Sequence, residues 1–278
     1  METKNDTKTV TASSNPQLAN KLVAEAMSSV EQEAMVQAPT SSVPLPPDTT
    51  VKLPGGLLDP FDGLTDTAEI RELKGSDEEA ISKISDTGKA LLTILERATV
   101  KIGDKPANSE TLDSLLAGDR EMLLLSIRKV TFGNTVTLGP GACPLCQQEQ
   151  TFVVDLDKDV TVKSVTNEDR YFTVDCKVGK VEVSLPTGVT QKNIVTSSNK
   201  TLAELDTILL KGCIMSINGA PVMSIDQVRN LSIMDRRAIL DAIITRNPGP
   251  QLGDIKKPCS ACGQEVPLPL TLADLFRE

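Results

Sequence analysis

The sequence contains no histidine and no tryptophan, and aromatic residues make up only 2% of its 278 positions. Histidine is the usual general base beside a catalytic serine or cysteine, and it is a common ligand of catalytic zinc. Its absence removes these schemes, and we therefore expect a protein that is not an enzyme. Because aromatic side chains are so scarce, the hydrophobic core must consist mostly of aliphatic residues.

Long apolar segments are also missing. No run approaches the roughly 20 apolar residues that a membrane span requires, and the segment Met1–Asp6 lacks the apolar core of a signal peptide. The net charge is −9 and the pI is about 4.8, which argues against a broad nucleic-acid surface because phosphate binding needs clustered lysine and arginine. We expect neither a membrane span nor a nucleic-acid partner.

Cysteine is present in an informative pattern. Two C-x-x-C pairs, Cys143/Cys146 and Cys259/Cys262, are separated by 113 positions between Cys146 and Cys259. Four thiolates in two tight pairs are what a tetrahedral structural zinc site requires, and without histidine the all-cysteine site is the common zinc arrangement that remains. The sequence therefore predicts one structural zinc ion with these four residues as ligands.

Two other interpretations of the pairs are open. They could form two disulfides, or one pair could be a redox motif, which needs a strand-to-helix turn. Both pairs lie among strand-like segments, and six cysteines without a secretory signal fit a reducing compartment and metal binding better than a disulfide framework. Cys176 and Cys213 fall on apolar faces and are interpreted as small buried hydrophobic residues.

Residues 1–50 are predicted to form a separate N-terminal arm. Asn15-Pro16 is typical of a helix start, and apolar residues then recur at three- and four-residue steps up to Pro39. A proline-rich linker follows. A short helix isolated in this way cannot bury its own apolar face, so we expect the 15–38 helix to dock on a partner; packing on its own body and ordering only upon assembly are the alternatives.

Residues 51–132 are predicted to be mainly helical. The Pro54-Gly55-Gly56 sequence indicates a turn, Ser76 is expected to cap one helix and Ser109 another, and Asp119 opens the most hydrophobic helix. Asp119-Arg120 and Asp235-Arg236 are interpreted as charged helix starts that complement the helix dipole.

Residues 133–278 are predicted to form a zinc-stapled α+β domain. Period-two alternation around a Gly179-Lys180 turn indicates an antiparallel hairpin. The fold class is therefore α+β: a helical layer followed by a small antiparallel sheet, closed by the four-cysteine zinc site, with a separate N-terminal helical arm.

The order of several landmarks resembles the baseplate hub and hub-assembly proteins of contractile-tailed, T-even-type bacteriophages. The resemblance covers about residues 51–278. Its landmarks, in chain order, are Leu53-Pro54-Gly55-Gly56-Leu57-Leu58, the capped helix within Glu69 to Ile84, the Asp119-to-Arg128 helix followed by Phe132-Gly133, the Cys143-Pro144-Leu145-Cys146 knuckle, Leu185-Pro186-Thr187-Gly188, Asp235-Arg236, and Cys259-Ser260-Ala261-Cys262-Gly263 with the proline- and leucine-containing segment and Phe276 after it. The first knuckle departs from the usual pattern, since Gln147 occupies a position where glycine is common.

The resemblance implies a non-enzymatic tail protein that binds other phage baseplate proteins, as a hub component or as an assembly chaperone. Such a protein would be made in the host cytoplasm and could remain in the virion tail. The alternative from the cysteine pairs alone is a zinc-ribbon adaptor that binds nucleic acid or a polymerase, although the charge and the scarcity of aromatic residues oppose it.

Overall fold

The computed structural model describes residues 49–59, 63–197 and 199–276. The predicted arm helix at residues 15–38 and its linker lie outside the described residues, so the arm stays a prediction. The described part is an α+β fold of short helices and small antiparallel sheets, as the sequence predicts.

The helices differ widely in length. They are α1 (Gly75–Ile81), α2 (Thr87–Ala98), α3 (Ser109–Ser114), α4 (Ala117–Phe132), α5 (Gly188–Val195), α6 (Leu202–Cys213), α7 (Ile225–Arg229) and α8 (Ile233–Arg246), with 3-10 turns at Glu168–Arg170, Leu252–Asp254 and Asp274–Phe276.

The strands are mostly short and pair antiparallel. They are β1 (Thr50–Asp59), β2 (Gly63–Ile70), β3 (Thr99–Ile102), β4 (Lys105–Pro106), β5 (Thr135–Ala142), β6 (Glu149–Asp155), β7 (Val162–Lys163), β8 (Tyr171–Cys176), β9 (Gly179–Ser184), β10 (Ile214–Ile217), β11 (Ala220–Pro221), β12 (Gly249–Pro250), β13 (Lys256–Pro258) and β14 (Glu265–Pro267).

The expectation of a single small sheet is wrong. Within the described residues, two four-stranded sheets have the orders β1-β2-β3-β4 and β11-β10-β9-β8, and three further pairs are β5-β6, β12-β7 and β13-β14. The first sheet lies inside the 51–132 region that was predicted to be mainly helical. The cysteine hairpins β5-β6 and β13-β14 are separate from the β8-β9 hairpin. The division into 51–132 and 133–278 stays a prediction.

Strand β1 replaces the turn that Pro54-Gly55-Gly56 suggested. The chain stays extended, and its register with β2 shifts between Lys52 and Leu57, so the Pro-Gly-Gly sequence forms a bulge. Gly56 has a φ of 79°, a conformation that favours glycine. The strand is buried from Leu53 to Leu57 because it packs against helix α4.

Two buried side chains of opposite charge hold this bulge. Asp119 of helix α4 accepts a 2.7 Å hydrogen bond from the Gly55 amide. Arg170 donates to the carbonyl oxygens of Gly55 and Gly56 at 2.6 and 2.7 Å. Asp119 is fully buried and Arg170 nearly so. Asp119 therefore does more than start a helix, which is the only role its position in the sequence suggested.

Helix starts also differ from those expected. The Asp77 carboxylate, not Ser76, caps α1 by accepting from the Lys74 amide at 2.9 Å. Asn108, not Ser109, caps α3 by accepting from the Thr111 amide at 2.8 Å. The capping box assigned to Ser76 is wrong because the helix already begins at Gly75, which places Ser76 inside its first turn and Asp77 at the position that caps the Lys74 amide.

Helix α4 joins two hydrophobic cores, which explains its density of leucines. Leu123, Leu124 and Ile127 pack in a core with strands β1–β3 and helix α2. Leu125 packs in a second core with residues of β5, β6 and the C-terminal segment. The prediction that this helix is buried is confirmed.

Backbones meet closely where helix α4 begins. A Cβ added at Gly118 would overlap the carbonyl group of Pro248, and Gly249 faces Gly118 with a φ of 107°. The absence of a side chain at Gly118 therefore lets strand β12 approach the helix.

We predict that Gly118→Ala lowers the free energy of unfolding by about 2 kcal/mol or more, because backbone must move apart at this contact. The change is diagnostic, since alanine at a helical position is otherwise favoured over glycine by about 1 kcal/mol. Denaturant unfolding measures it. Gly75→Ala is the matched control, because nothing lies within 4 Å of its added Cβ. Equal stability of the two variants would contradict the prediction.

Candidate metal centre

Two short hairpins carry the cysteine pairs. Cys143 and Cys146 lie in the connection between β5 and β6, and Cys259 and Cys262 lie between β13 and β14. The sequence indicated strand-like surroundings for both pairs, and the structure confirms them. Neither pair lies at a strand-to-helix turn, the location that a redox motif requires.

The two knuckles have the same backbone hydrogen bonds. The Cys143 amide donates to Gln148 O, and the Gln147 amide donates to Cys143 O, both at 2.9 Å. In the second knuckle the Cys259 amide donates to Gln264 O, and the Gly263 amide donates to Cys259 O, both at 2.8 Å. Each cysteine pair is thus held in one tight turn whose geometry is repeated 116 positions later.

The residue after each second cysteine adopts a left-handed conformation. Gly263 has a φ of 71° and Gln147 a φ of 61°. This region favours glycine, and the departure noted at Gln147 therefore introduces strain of about 1 kcal/mol at that position.

The four sulfur atoms converge at one point. The Cys143–Cys262 and Cys146–Cys259 sulfur pairs are 3.9 and 3.7 Å apart, and all four sulfurs lie within 4.8 Å of one another. Four sulfurs at about 2.3 Å from a tetrahedral ion would be about 3.8 Å apart. A disulfide requires about 2.05 Å, so the two-disulfide interpretation does not fit. The donor set fits a thiophilic metal ion.

A small apolar cluster supports the sulfurs. Cys143 and Cys259 are buried beside Phe152 and Val266, whereas Cys146 and Cys262 are exposed. Phe152 and Val266 come from β6 and β14, so both hairpins shield the site. This packing fixes one cysteine of each pair and leaves the other at the surface.

A glutamine joins the two knuckles directly. Gln150 Oε1 of strand β6 accepts from the backbone amide and the hydroxyl of Ser260, at 2.9 and 2.7 Å. Sequence reasoning missed Gln150, because nothing in its neighbourhood distinguishes it from Gln147 or Gln148. The contact orients the second knuckle independently of the ligand atoms.

Backbone amides favour the thiolate form at one ligand. The amide of Cys262 donates toward the Cys259 sulfur and, together with that of Ala261, lowers the pKa of the Cys259 thiol to about 6 against the opposing effect of burial. These amides favour the thiolate, which is the form that binds metal.

The remaining cysteines lie elsewhere. Cys213 is buried at the end of helix α6, where burial raises the pKa of its thiol to about 12, and Cys176 is half-buried on strand β8. Their interpretation as small hydrophobic residues agrees with packing in the core that contains Val181 and Val183. Asp235 is also buried, and it accepts from the Lys177 amide at 2.8 Å rather than only starting helix α8.

These features define an α+β protein in which two matched cysteine knuckles form one four-sulfur site able to hold a metal ion. The sequence model of the family described as "T4 bacteriophage base plate protein" matches residues 63–276. The chain belongs to this family. No curated protein and no solved structure matches the chain.

The family match confirms the T4-type baseplate resemblance and places the protein among phage baseplate components. Within the described residues, no helix is long and apolar enough to cross a membrane.

We predict that the purified protein binds one thiophilic divalent ion per chain, because the four sulfurs complete a tetrahedral shell. Cys262→Ser is expected to reduce the bound metal to well below one per chain, whereas Cys176→Ser retains it. Elemental analysis measures the stoichiometry, and cobalt substitution reports tetrahedral thiolate ligation through its absorption spectrum. Full metal binding by Cys262→Ser would contradict the assignment.

Exchanging the residues that follow the second cysteine of each knuckle is expected to change the free energy of unfolding in opposite directions. Gly263→Gln is expected to lower the free energy of unfolding of the metal-bound protein by about 1 kcal/mol, since it places a side chain in the left-handed region. Gln147→Gly is expected to raise it by a smaller amount, because glycine's larger backbone entropy offsets part of the relief. Denaturant titration at saturating metal tests both. Changes of the same sign would show that the two knuckles are not equivalent.

Proposed function

We propose that the protein is a non-enzymatic baseplate hub component or hub-assembly chaperone that acts by binding other phage tail proteins, and that one structural zinc ion holds its C-terminal half together. The family match over residues 63–276 carries the proposal, because it establishes a baseplate component. The hub role, the chaperone role and the zinc ion are the proposed refinements.

The cysteine geometry supports a structural ion rather than a catalytic one. Four thiolates fill every position of a tetrahedral shell and leave none open for water or substrate, which catalytic zinc requires. The sequence has no histidine that could serve as a base beside it. Zinc is the proposed ion because four-cysteine sites of this spacing are typical of it.

The surface supports a binding role. Leu202 at the start of helix α6 is 82% exposed, Met223 before helix α7 is 80% exposed, and Ile233 and Met234 at the start of helix α8 are also exposed. Single exposed apolar residues are ordinary, but several on neighbouring elements favour a surface that another protein covers. The net charge of −9 favours protein partners over nucleic acid.

The proposal includes the arm. The partners are other baseplate or tail proteins, and the 15–38 helix is the proposed docking element. Assembly takes place in the host cytoplasm, and retention in the finished virion tail distinguishes a hub component from a chaperone.

We predict that affinity-tagged protein isolated from infected cells carries other baseplate proteins with it. A variant without residues 1–38 is expected to keep the circular dichroism spectrum and bound metal of the body but to recover these partners several-fold less well. Quantitative mass spectrometry of the isolated complexes measures both effects. Cys262→Ser is the companion variant and is expected to lose metal and partners together.

Mass spectrometry of purified virions separates the two roles. A hub component is present in finished particles at a fixed copy number, whereas an assembly chaperone is absent from them yet required for baseplate formation. Isolation of nucleic acid or polymerase instead of tail proteins would overturn the proposal in favour of an adaptor.

A further inference from the structure

A second candidate site lies apart from the cysteine cluster. A cavity of about 500 Å³ opens between helices α4, α5, α6 and α8 and the segment that follows α8. This volume is in the range of pockets that bind small molecules or protruding side chains. Its walls are largely apolar and include Ile194, Leu209, Ile243, Leu252, Leu270 and Leu272.

Glu121 of helix α4 lines this cavity without a partner. Its carboxylate makes no hydrogen bond or ion pair with any side chain or backbone group in the described part of the chain. Burial raises the pKa of Glu121 to about 7. A carboxyl group held in this way is costly to ionise unless a donor or a cation reaches it.

A second acceptor in the same cavity is unsatisfied. Asn247 follows helix α8, and its Oδ1 atom is buried with no hydrogen-bond partner among the described residues. The exposed Asp254 also lines the cavity, and no lysine or arginine does. The buried lining atom left without a partner is therefore an acceptor, and the charged groups that line the cavity are all acidic.

This lining specifies the chemistry of an occupant. The apolar walls suit an aliphatic stem, and the acceptors require a group that donates hydrogen bonds and carries positive charge. Glu121 and Asn247 lie on different elements. A compact ammonium with three rotatable donors suits such separate acceptors better than the planar fork of a guanidinium, which matches one carboxylate.

The rim of the cavity points to a protein as the source of the ammonium. Ile244 of helix α8 also lines the cavity, yet it is 69% exposed. A free amine inside the cavity would leave this side chain in water, whereas a protein surface that inserts a lysine would cover it. Lysine stems commonly lie along apolar surface while the ammonium reaches a polar partner.

We infer that this cavity receives a lysine side chain of a partner protein, with the ammonium at Glu121 and Asn247 Oδ1 and the four methylenes against the apolar walls. The inference rests on the proposed function in that the partner is a protein of the baseplate. The first experiment below uses no tail protein, so its failure is distinguishable from failure of the proposed function.

The first experiment tests the recognition of an ammonium group. n-Pentylammonium, which mimics the lysine side chain, is titrated into the full-length metal-bound protein, and 1-pentanol is the neutral probe of equal length. The methyl NMR signals of Ile194, Ile243 and Ile244 report binding. At pH 8 the ammonium is expected to bind at least fivefold more tightly than the alcohol, and its affinity is expected to fall several-fold at pH 6 as Glu121 becomes protonated.

Substitutions test whether Glu121 and Asn247 are the residues that bind the ammonium. Glu121→Gln keeps the shape of the side chain and removes its charge, so it is expected to abolish the preference for the ammonium and its pH dependence. Asn247→Leu removes the acceptor oxygen at similar volume and is expected to weaken ammonium binding severalfold. Glu79→Gln, at an exposed position outside the cavity, is the control and is expected to change nothing. Equal affinity for the two probes, or an unchanged preference in Glu121→Gln, would overturn the inference.

The second experiment tests the source of the ammonium. A zero-length carbodiimide joins a carboxylate to a contacting amine as an amide, so treatment of isolated baseplate complexes is expected to link Glu121 to one lysine of a neighbouring protein. Mass spectrometry identifies the linked peptides, and Glu121→Gln should lose this link while retaining others. Cross-links to tail proteins at other residues but none at Glu121 would overturn the inference and leave the proposed function intact.

Discussion

The buried carboxylate of Asp119 ties together parts of the chain that are distant in sequence. It accepts from the Gly55 amide at the bulge of β1, while Arg170 donates to the carbonyl oxygens of the same bulge. The register with β2 is interrupted at the bulge, and its backbone is bound instead by these two groups and by the Val165 amide, which donates to Pro54 O at 3.0 Å. Burial raises the pKa of Asp119 and lowers that of Arg170, whereas the backbone hydrogen bonds to Asp119 and the attraction between the two charges oppose these shifts.

This constraint places helix α4 against the first sheet, and the helix in turn positions the rest. Its leucines fill the core below strands β1–β3, and Leu125 and Met122 reach the core of the C-terminal half. The cysteine hairpins extend from that second core, where Leu138 and Leu268 pack against both the core and the sulfur cluster. The four-cysteine cluster is therefore anchored to the body through apolar contacts.

Structural features that depend on residues close together in the sequence could be predicted. The cysteine spacing identified all four members of the sulfur cluster, and the leucine density of Asp119 to Arg128 identified a buried helix. What failed depends on distant partners. Pro54-Gly55-Gly56 forms a bulge because Asp119 and Arg170 bind it, and these contacts span 64 and 115 positions. Period-two alternation reports which face of a strand is buried but not which strand pairs with it, so several sheets were predicted as one.

The two knuckles have matched backbone geometry but are far apart in the order of synthesis. Bacterial and phage chains elongate at about 5 to 20 residues per second. The 113 positions between Cys146 and Cys259 thus take about 6 to 23 seconds to translate. During that interval the first hairpin carries only two of the four cysteines that converge in the folded chain. The four cysteines can therefore converge only after the second knuckle is synthesised, late in the production of each chain.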